Sequence, residues 1–125
     1  MAQPAPAIAD SISSFVRAVS AMIPVDRVIL FGSYAMGAAG ADSDIDLAIV
    51  SPAFGQNPWD DRQILFGAVF RERLDSRIEP HPLTPADLQR TSGWIKTEVL
   101  DKGILVYSRR AKAPHGASNA SCISE

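Results

Sequence analysis

The chain has 125 residues, 46% of them apolar and 21% charged, with a formal net charge of −2. That length fits one domain with one core and leaves little room for two. The charge gives no electrostatic case for a broad nucleic-acid-binding surface, although Arg71, Arg73 and Arg77 could form a local basic patch. A single cysteine, Cys122, excludes an internal disulfide and a cysteine metal cluster. The N-terminus lacks the basic segment and apolar core of a signal peptide. No apolar run approaches the roughly 20 residues of a membrane span, so the cytoplasm is the expected location.

Residues 1–7 are rich in Pro and Ala and are expected to fray. Ile8, Ile12, Phe15, Val16, Val19 and Met22 recur at helical spacing, which predicts an amphipathic helix ending before Pro24. Val28 to Phe31 is a short apolar run stopped by Gly32 and reads as a buried strand. Ser33 to Met36 reads as a helical turn, and 37–42 as a loop. Residues 43–50, SDIDLAIV, predict a second strand with Ile45, Leu47 and Ile49 on one face and Asp44 and Asp46 on the other. Ala48 and Val50 continue the acidic face as apolar, so the two acids stand at the mouth of the strand.

Asn57 and Pro58 give an N-cap and a first-turn proline for a helix over 58 to about 74. Its apolar residues spread almost all the way round, which predicts cover on two sides. Either the domain itself supplies that cover, or Trp59, Phe66 and Phe70 meet another chain. Residues 76–83 predict a short third strand ended by Pro80 and Pro82, with Arg77, Glu79 and His81 on one face. Thr84 and Pro85 start a short helix, 93–101 form another stopped by Gly103, and 104–107 form a last, edge strand. From Arg109 the composition predicts a disordered tail. The order gives an α/β or α+β fold, a small mixed sheet of about four strands with helices mainly on one side.

The acids carry the chemistry. Residues two apart on a strand lie about 6.5–7 Å apart and face the same way, so Asp44 and Asp46 can lean onto one or two cations. Mg²⁺ takes oxygen ligands and needs only a few carboxylates plus substrate phosphates. Gly32, directly after a strand, lets a ligand approach the backbone, and Ser33 adds a hydroxyl at the start of a helical turn. An EF-hand is excluded, because Leu47 and Ala53 stand where that loop needs Gly and Glu. There is no P-loop and no dinucleotide fingerprint. Ser33 has no evident relay, since His81 lies in a Pro-rich turn and His115 in the tail.

Taken together, Gly32-Ser33, then ten residues, then Asp44-x-Asp46 resembles the signature of the polymerase-β-type nucleotidyltransferases. It is most similar to the minimal nucleotidyltransferase (MNT) family, whose pattern is roughly G-S-x-A-R-G, a variable loop, then S-D-I-D-L. Gly32, Ser33, Ala35, Gly37, Ser43, Asp44, Ile45, Asp46 and Leu47 match it, and the likeness covers about residues 8–108. The resemblance implies a nucleotidyltransferase fold and an Mg²⁺-dependent, two-metal transfer of a nucleoside monophosphate, AMP from ATP, to an acceptor hydroxyl. Asp44 and Asp46 would hold the metal, with Glu79 as the third carboxylate and Asp75 in reserve. Gly32, Ser33 and Ser43 would bind the nucleotide. Met36 stands where the family has arginine, a loss that Arg62 or Arg77 would have to make good.

The chain is too short to carry its own acceptor domain. The resemblance therefore implies a HEPN-type helical toxin as partner, modified on a tyrosine or masked by direct binding. Two other readings compete with this one. The first is a non-catalytic binding module of the same fold. The second is a transferase acting on a small molecule such as an aminoglycoside, with a homodimer building the pocket.

Overall fold

Strands that bury residues on both sides need cover on both faces, and this requirement shapes the architecture. The computed structural model describes residues 6–40 and 42–109. Helix α1 (Pro6–Ser20) leads into strand β1 (Arg27–Phe31), the one-turn helix α2 (Ser33–Met36) and strand β2 (Ile45–Val50). Helix α3 (Pro58–Arg71) then crosses to strand β3 (Ile78–Leu83). A 3₁₀ turn (Pro85–Gln89), a π-helix (Ile95–Asp101) and strand β4 (Ile104–Ser108) follow. The sheet order is β3-β2-β1-β4. Strand β1 is antiparallel to β2 and β4, and β2 is parallel to β3, so the sheet is mixed and four-stranded as predicted.

The two long helices share one face. Ile8, Ile12, Phe15 and Val19 of α1 and Leu65 and Ala68 of α3 pack with Val28, Leu30, Ile45, Leu47, Ile49 and Ile78. On the opposite face Ile95 and Val99 of the π-helix pack with Ile29, Phe31, Ala48, Val50 and Leu83. Ala48 and Val50 are fully buried there, as the pattern of β2 implied.

Several expectations are corrected. Strand β2 begins at Ile45, which leaves Asp44 exposed just outside it. Strand β3 is not ended by its prolines and runs through both to Leu83. The reason is its edge position. Ile45 N–H donates to the Arg77 carbonyl at 2.8 Å, and Ser51 N–H to the Leu83 carbonyl at 3.0 Å. In a parallel ladder these bonds turn the odd-numbered residues of β3 toward β2, so Pro80 and Pro82 aim their imide nitrogens at the free edge. Gly103 does not stop the π-helix by a left-handed turn. It is needed for close packing, since a Cβ there would stand 2.3 Å from the Val99 carbonyl oxygen and 2.5 Å from Ile29 Cγ2. Helix α3 ends at Arg71, three residues early, and Arg73 takes a left-handed φ of 54°.

Arg109 belongs to the folded unit. Its guanidinium pairs with Asp26, and its N–H donates to the Asp26 carbonyl at 2.9 Å. The expected frayed start and the tail from residue 110, with Cys122 and His115, lie outside the described residues, apart from the backbone at Pro6 and Ala7 in α1. Trp59, Phe66 and Phe70 on α3 are 68%, 39% and 86% exposed, so the domain itself leaves that side of the helix uncovered.

Asp75 ties the β3 approach to α1. Arg77 donates to it from Nε at 3.1 Å and from Nη2 at 2.7 Å, and Ser11 Oγ donates at 2.7 Å. The Arg77 guanidinium holds the Asp75 carboxyl well below the ordinary carboxylate range; burial opposes this and Ser11 adds to it. A depressed folded pKa stabilises the fold above the unfolded value and loses that contribution as pH falls through the folded one. Asp75→Asn is expected to cost about 1–3 kcal/mol at neutral pH in urea unfolding. The gap to wild type should hold down to the unfolded carboxyl value of 3.8 and close below it. A gap independent of acid pH would contradict this assignment.

Candidate active site

The parallel register of β2 and β3 sets Asp46 directly beside Glu79. Both side chains leave the sheet on the face away from α1 and α3, at the strand mouth where the π-helix cover ends. His81, two residues on, projects from the same face, and its Nε2 lies 3.4 Å from Asp46 Oδ1. Ligand atoms of Asp46, Glu79 and His81 all stand within 4.8 Å of one another. Burial pushes the Asp46 carboxyl above its ordinary value, His81 pulls it back down, and the charge of Asp44 adds to the rise. Oxygen and nitrogen donors this close could hold a cation.

Strand β1 supplies the facing turn. Phe31 is the register partner of Asp46, and Gly32 follows with a φ of 76°. A Cβ at residue 32 would stand 2.4 Å from Asp46 Oδ2. Only glycine lets the turn close over the carboxylate, in a conformation that side chains disfavour. Gly32 caps α2, and its carbonyl accepts the N–H groups of Ala35 at 3.1 Å and Met36 at 3.2 Å. Ser33 opens this helix beside the acids. Ser43 Oγ accepts the Gly40 N–H at 2.8 Å and so closes the loop that leads to Asp44.

The structure thus brings Asp46, Glu79 and the Gly32–Ser33 turn together. Asp44 lies outside the cluster of ligand atoms but near enough for its charge to act on Asp46. Asp75, the reserve acid, is committed to Arg77 and Ser11, and Arg77 is thereby engaged away from Glu79. Arg77 also donates to Tyr34 Oη of α2 at 3.2 Å, which puts a guanidinium beside the helix carrying Met36. Arg62 lies over the Phe66 ring on α3, across the sheet from the acids. Sequence reasoning gave His81 no role. The signal was present as Glu79-x-His81, one face of a strand, but Pro80 and Pro82 had marked that strand as broken.

These features give the domain a group of side chains that could hold a cation, under a glycine turn. Residues 12–106 match the model of the nucleotidyltransferase domain, and the chain belongs to that family. No curated protein matches the chain. Among solved structures it is similar to a Sulfolobus solfataricus protein assigned as a nucleotidyltransferase, with 20% identity over 83% of each chain and a TM-score of 0.65. It is also similar to a chain from a toxin–antitoxin with AMP-PNP, at 19% identity, 82% of this chain, 74% of that one and a TM-score of 0.54. A mutant of the toxin–antitoxin MntA–HpeT gives 16% identity over the same shares and a TM-score of 0.52. At these identities the likeness is one of fold.

Gly32→Ala is expected to leave a folded protein whose Asp46 carboxylate is displaced. In thermal melts, Mg²⁺ with ATP should raise the midpoint of the wild type and leave that of Gly32→Ala unmoved. Equal shifts in both would show that the close approach of Gly32 to Asp46 plays no part in ligand binding.

Proposed function

We propose that the protein is a divalent-cation-dependent nucleotidyltransferase that moves AMP from ATP to a hydroxyl of a helical protein partner. The observation that carries this reading is the pairing of Asp46 with Glu79 under the Gly32–Ser33 turn, in a chain of the nucleotidyltransferase family. Asp46 and Glu79 would hold the cation, with Asp44 joining from the loop. Mg²⁺ held by these residues would supply positive charge to the triphosphate and to the attacking and leaving oxygens. Gly32 and Ser33 would bind the phosphates, the glycine by giving them access to the backbone and the serine through its hydroxyl. Ser43 would shape the loop alongside them. Glu79 would accept the proton of the acceptor hydroxyl as its oxygen attacks the α-phosphorus. The bond from that phosphorus to the bridging oxygen breaks, and pyrophosphate leaves. Arg77, held beside α2 by Tyr34, would provide the positive charge that Met36 lacks.

The partner reading has its own support. Two of the similar folds come from toxin–antitoxin structures, and α3 exposes Trp59, Phe66 and Phe70 along one side. A HEPN-type toxin docked there would have to reach round the sheet to present its tyrosine to the acids, giving an antitoxin that acts by modification. No described helix is long and apolar enough to cross a membrane.

The test is incubation with ATP labelled at the α-phosphate and Mg²⁺, with and without the helical protein encoded next to this chain. Label should pass to a partner tyrosine and fall by about a hundredfold or more in Asp46→Asn, as expected for loss of a group that acts in the transition state. Phe70→Ser should weaken partner capture while leaving ATP binding intact. Tight partner binding with no label transferred would replace this reading with a masking module.

A further inference from the structure

His81 is aimed at the acids and held there. Phe31 meets its ring edge-on at a centroid distance of 5.1 Å, and Trp94 does so at 5.9 Å. Phe31 and Trp94 also contact each other at 5.9 Å, so two aromatic rings confine the imidazole. Phe31 is itself the strand neighbour of Asp46, and His81 shares a strand face with Glu79. The backbone pairing that joins the carboxylates therefore also sets the direction of the imidazole. Its Nε2 stands 3.4 Å from Asp46 Oδ1, inside a cluster whose ligand atoms span no more than 4.8 Å.

That spacing is informative. Nitrogen and carboxylate donors sit about 2.0–2.2 Å from a small divalent ion, so neighbouring donors on one ion stand roughly 3–3.5 Å apart. Mg²⁺ is served by carboxylates, phosphates and water. An imidazole nitrogen favours first-row transition ions instead. Two carboxylates with one imidazole make a mixed set whose charge balances a divalent ion.

We propose that His81 joins Asp46 and Glu79 as the nitrogen donor of a mixed-ligand metal site that selects a first-row transition ion, Mn²⁺ over Mg²⁺. The inference rests on the reading of this acidic cluster as the cation site of a nucleotidyltransferase. His81 then sets which metal serves the chain.

The full chain is loaded with Mn²⁺, with and without a non-hydrolysable ATP analogue, and studied by electron spin-echo envelope modulation. Nitrogen modulation from a bound imidazole is expected in the wild type, kept in His115→Gln and lost in His81→Gln. Competition titrations that follow the free Mn²⁺ signal should show His81→Gln weakening Mn²⁺ by about tenfold or more and Mg²⁺ by less than about twofold. Mn²⁺ bound without nitrogen modulation, or equal weakening of both ions, overturns the proposal and leaves His81 as a positioning residue for Asp46. In that event AMP transfer, if observed, still stands on Asp46 and Glu79. Nitrogen modulation in a protein that transfers no nucleotide supports the metal set and counts against the transferase. No Mn²⁺ binding in either condition overturns both.

Discussion

The parallel pairing of β2 with β3 is the constraint on which the rest depends. It sets Asp46 beside Glu79, with donor atoms within 4.8 Å. Two ionised carboxylates at that distance repel by about 3 kcal/mol or more at an effective dielectric of about 20. The sheet holds them together because slipping the register is worse. A shift of one residue would turn Glu79 into the core under α1 and α3, and would bring Ile78 out to the mouth. The apolar residues on both sides of β2, all but fully buried, thus hold the charge cluster in register.

The two faces of the sheet divide the work. The α1 and α3 face carries the larger core. On the other face Ile95 and Val99 of the π-helix cover Ile29, Phe31, Ala48, Val50 and Leu83, while Asp46 and Glu79 at the strand mouths stay partly exposed. Two small-residue choices keep that mouth usable. Gly32 lets the turn after β1 lie against the Asp46 carboxylate, and Gly103 lets the chain pass close under Ile29 into β4. A larger side chain at Gly32 would run into the Asp46 carboxylate, and one at Gly103 would run into Val99 and Ile29, where the π-helix meets β1.

Much of this was legible along the chain. The alternation in SDIDLAIV gave the buried face of β2 and placed Asp46 opposite it, because a period of two needs no knowledge of neighbours. The helical spacing of Ile8, Ile12, Phe15 and Val19 gave α1 for the same reason. The G-S and D-x-D elements gave the family, which the match over residues 12–106 bears out. What was not legible depended on pairing. Pro80 and Pro82 read as strand breakers, and only the edge position of β3 makes them harmless. Glu79 was preferred to Asp75 from the sequence, but only the fold shows that Asp75 is engaged by Arg77 and by Ser11, 64 residues away.

The sequence by itself determined the elements, the two-faced character of β2, the family and the residue types of the site. These are properties of local spacing, and local spacing is what a linear chain displays. Only the tertiary structure decided which acids meet, that His81 stands among them, that Asp44 stays at the rim, and that Arg77 serves Asp75 and Tyr34. The meetings of Asp46 with Glu79 and His81, and of Arg77 with Tyr34, turn on strand order and register between segments roughly 30 or more residues apart, where sequence distance carries no information about spatial distance.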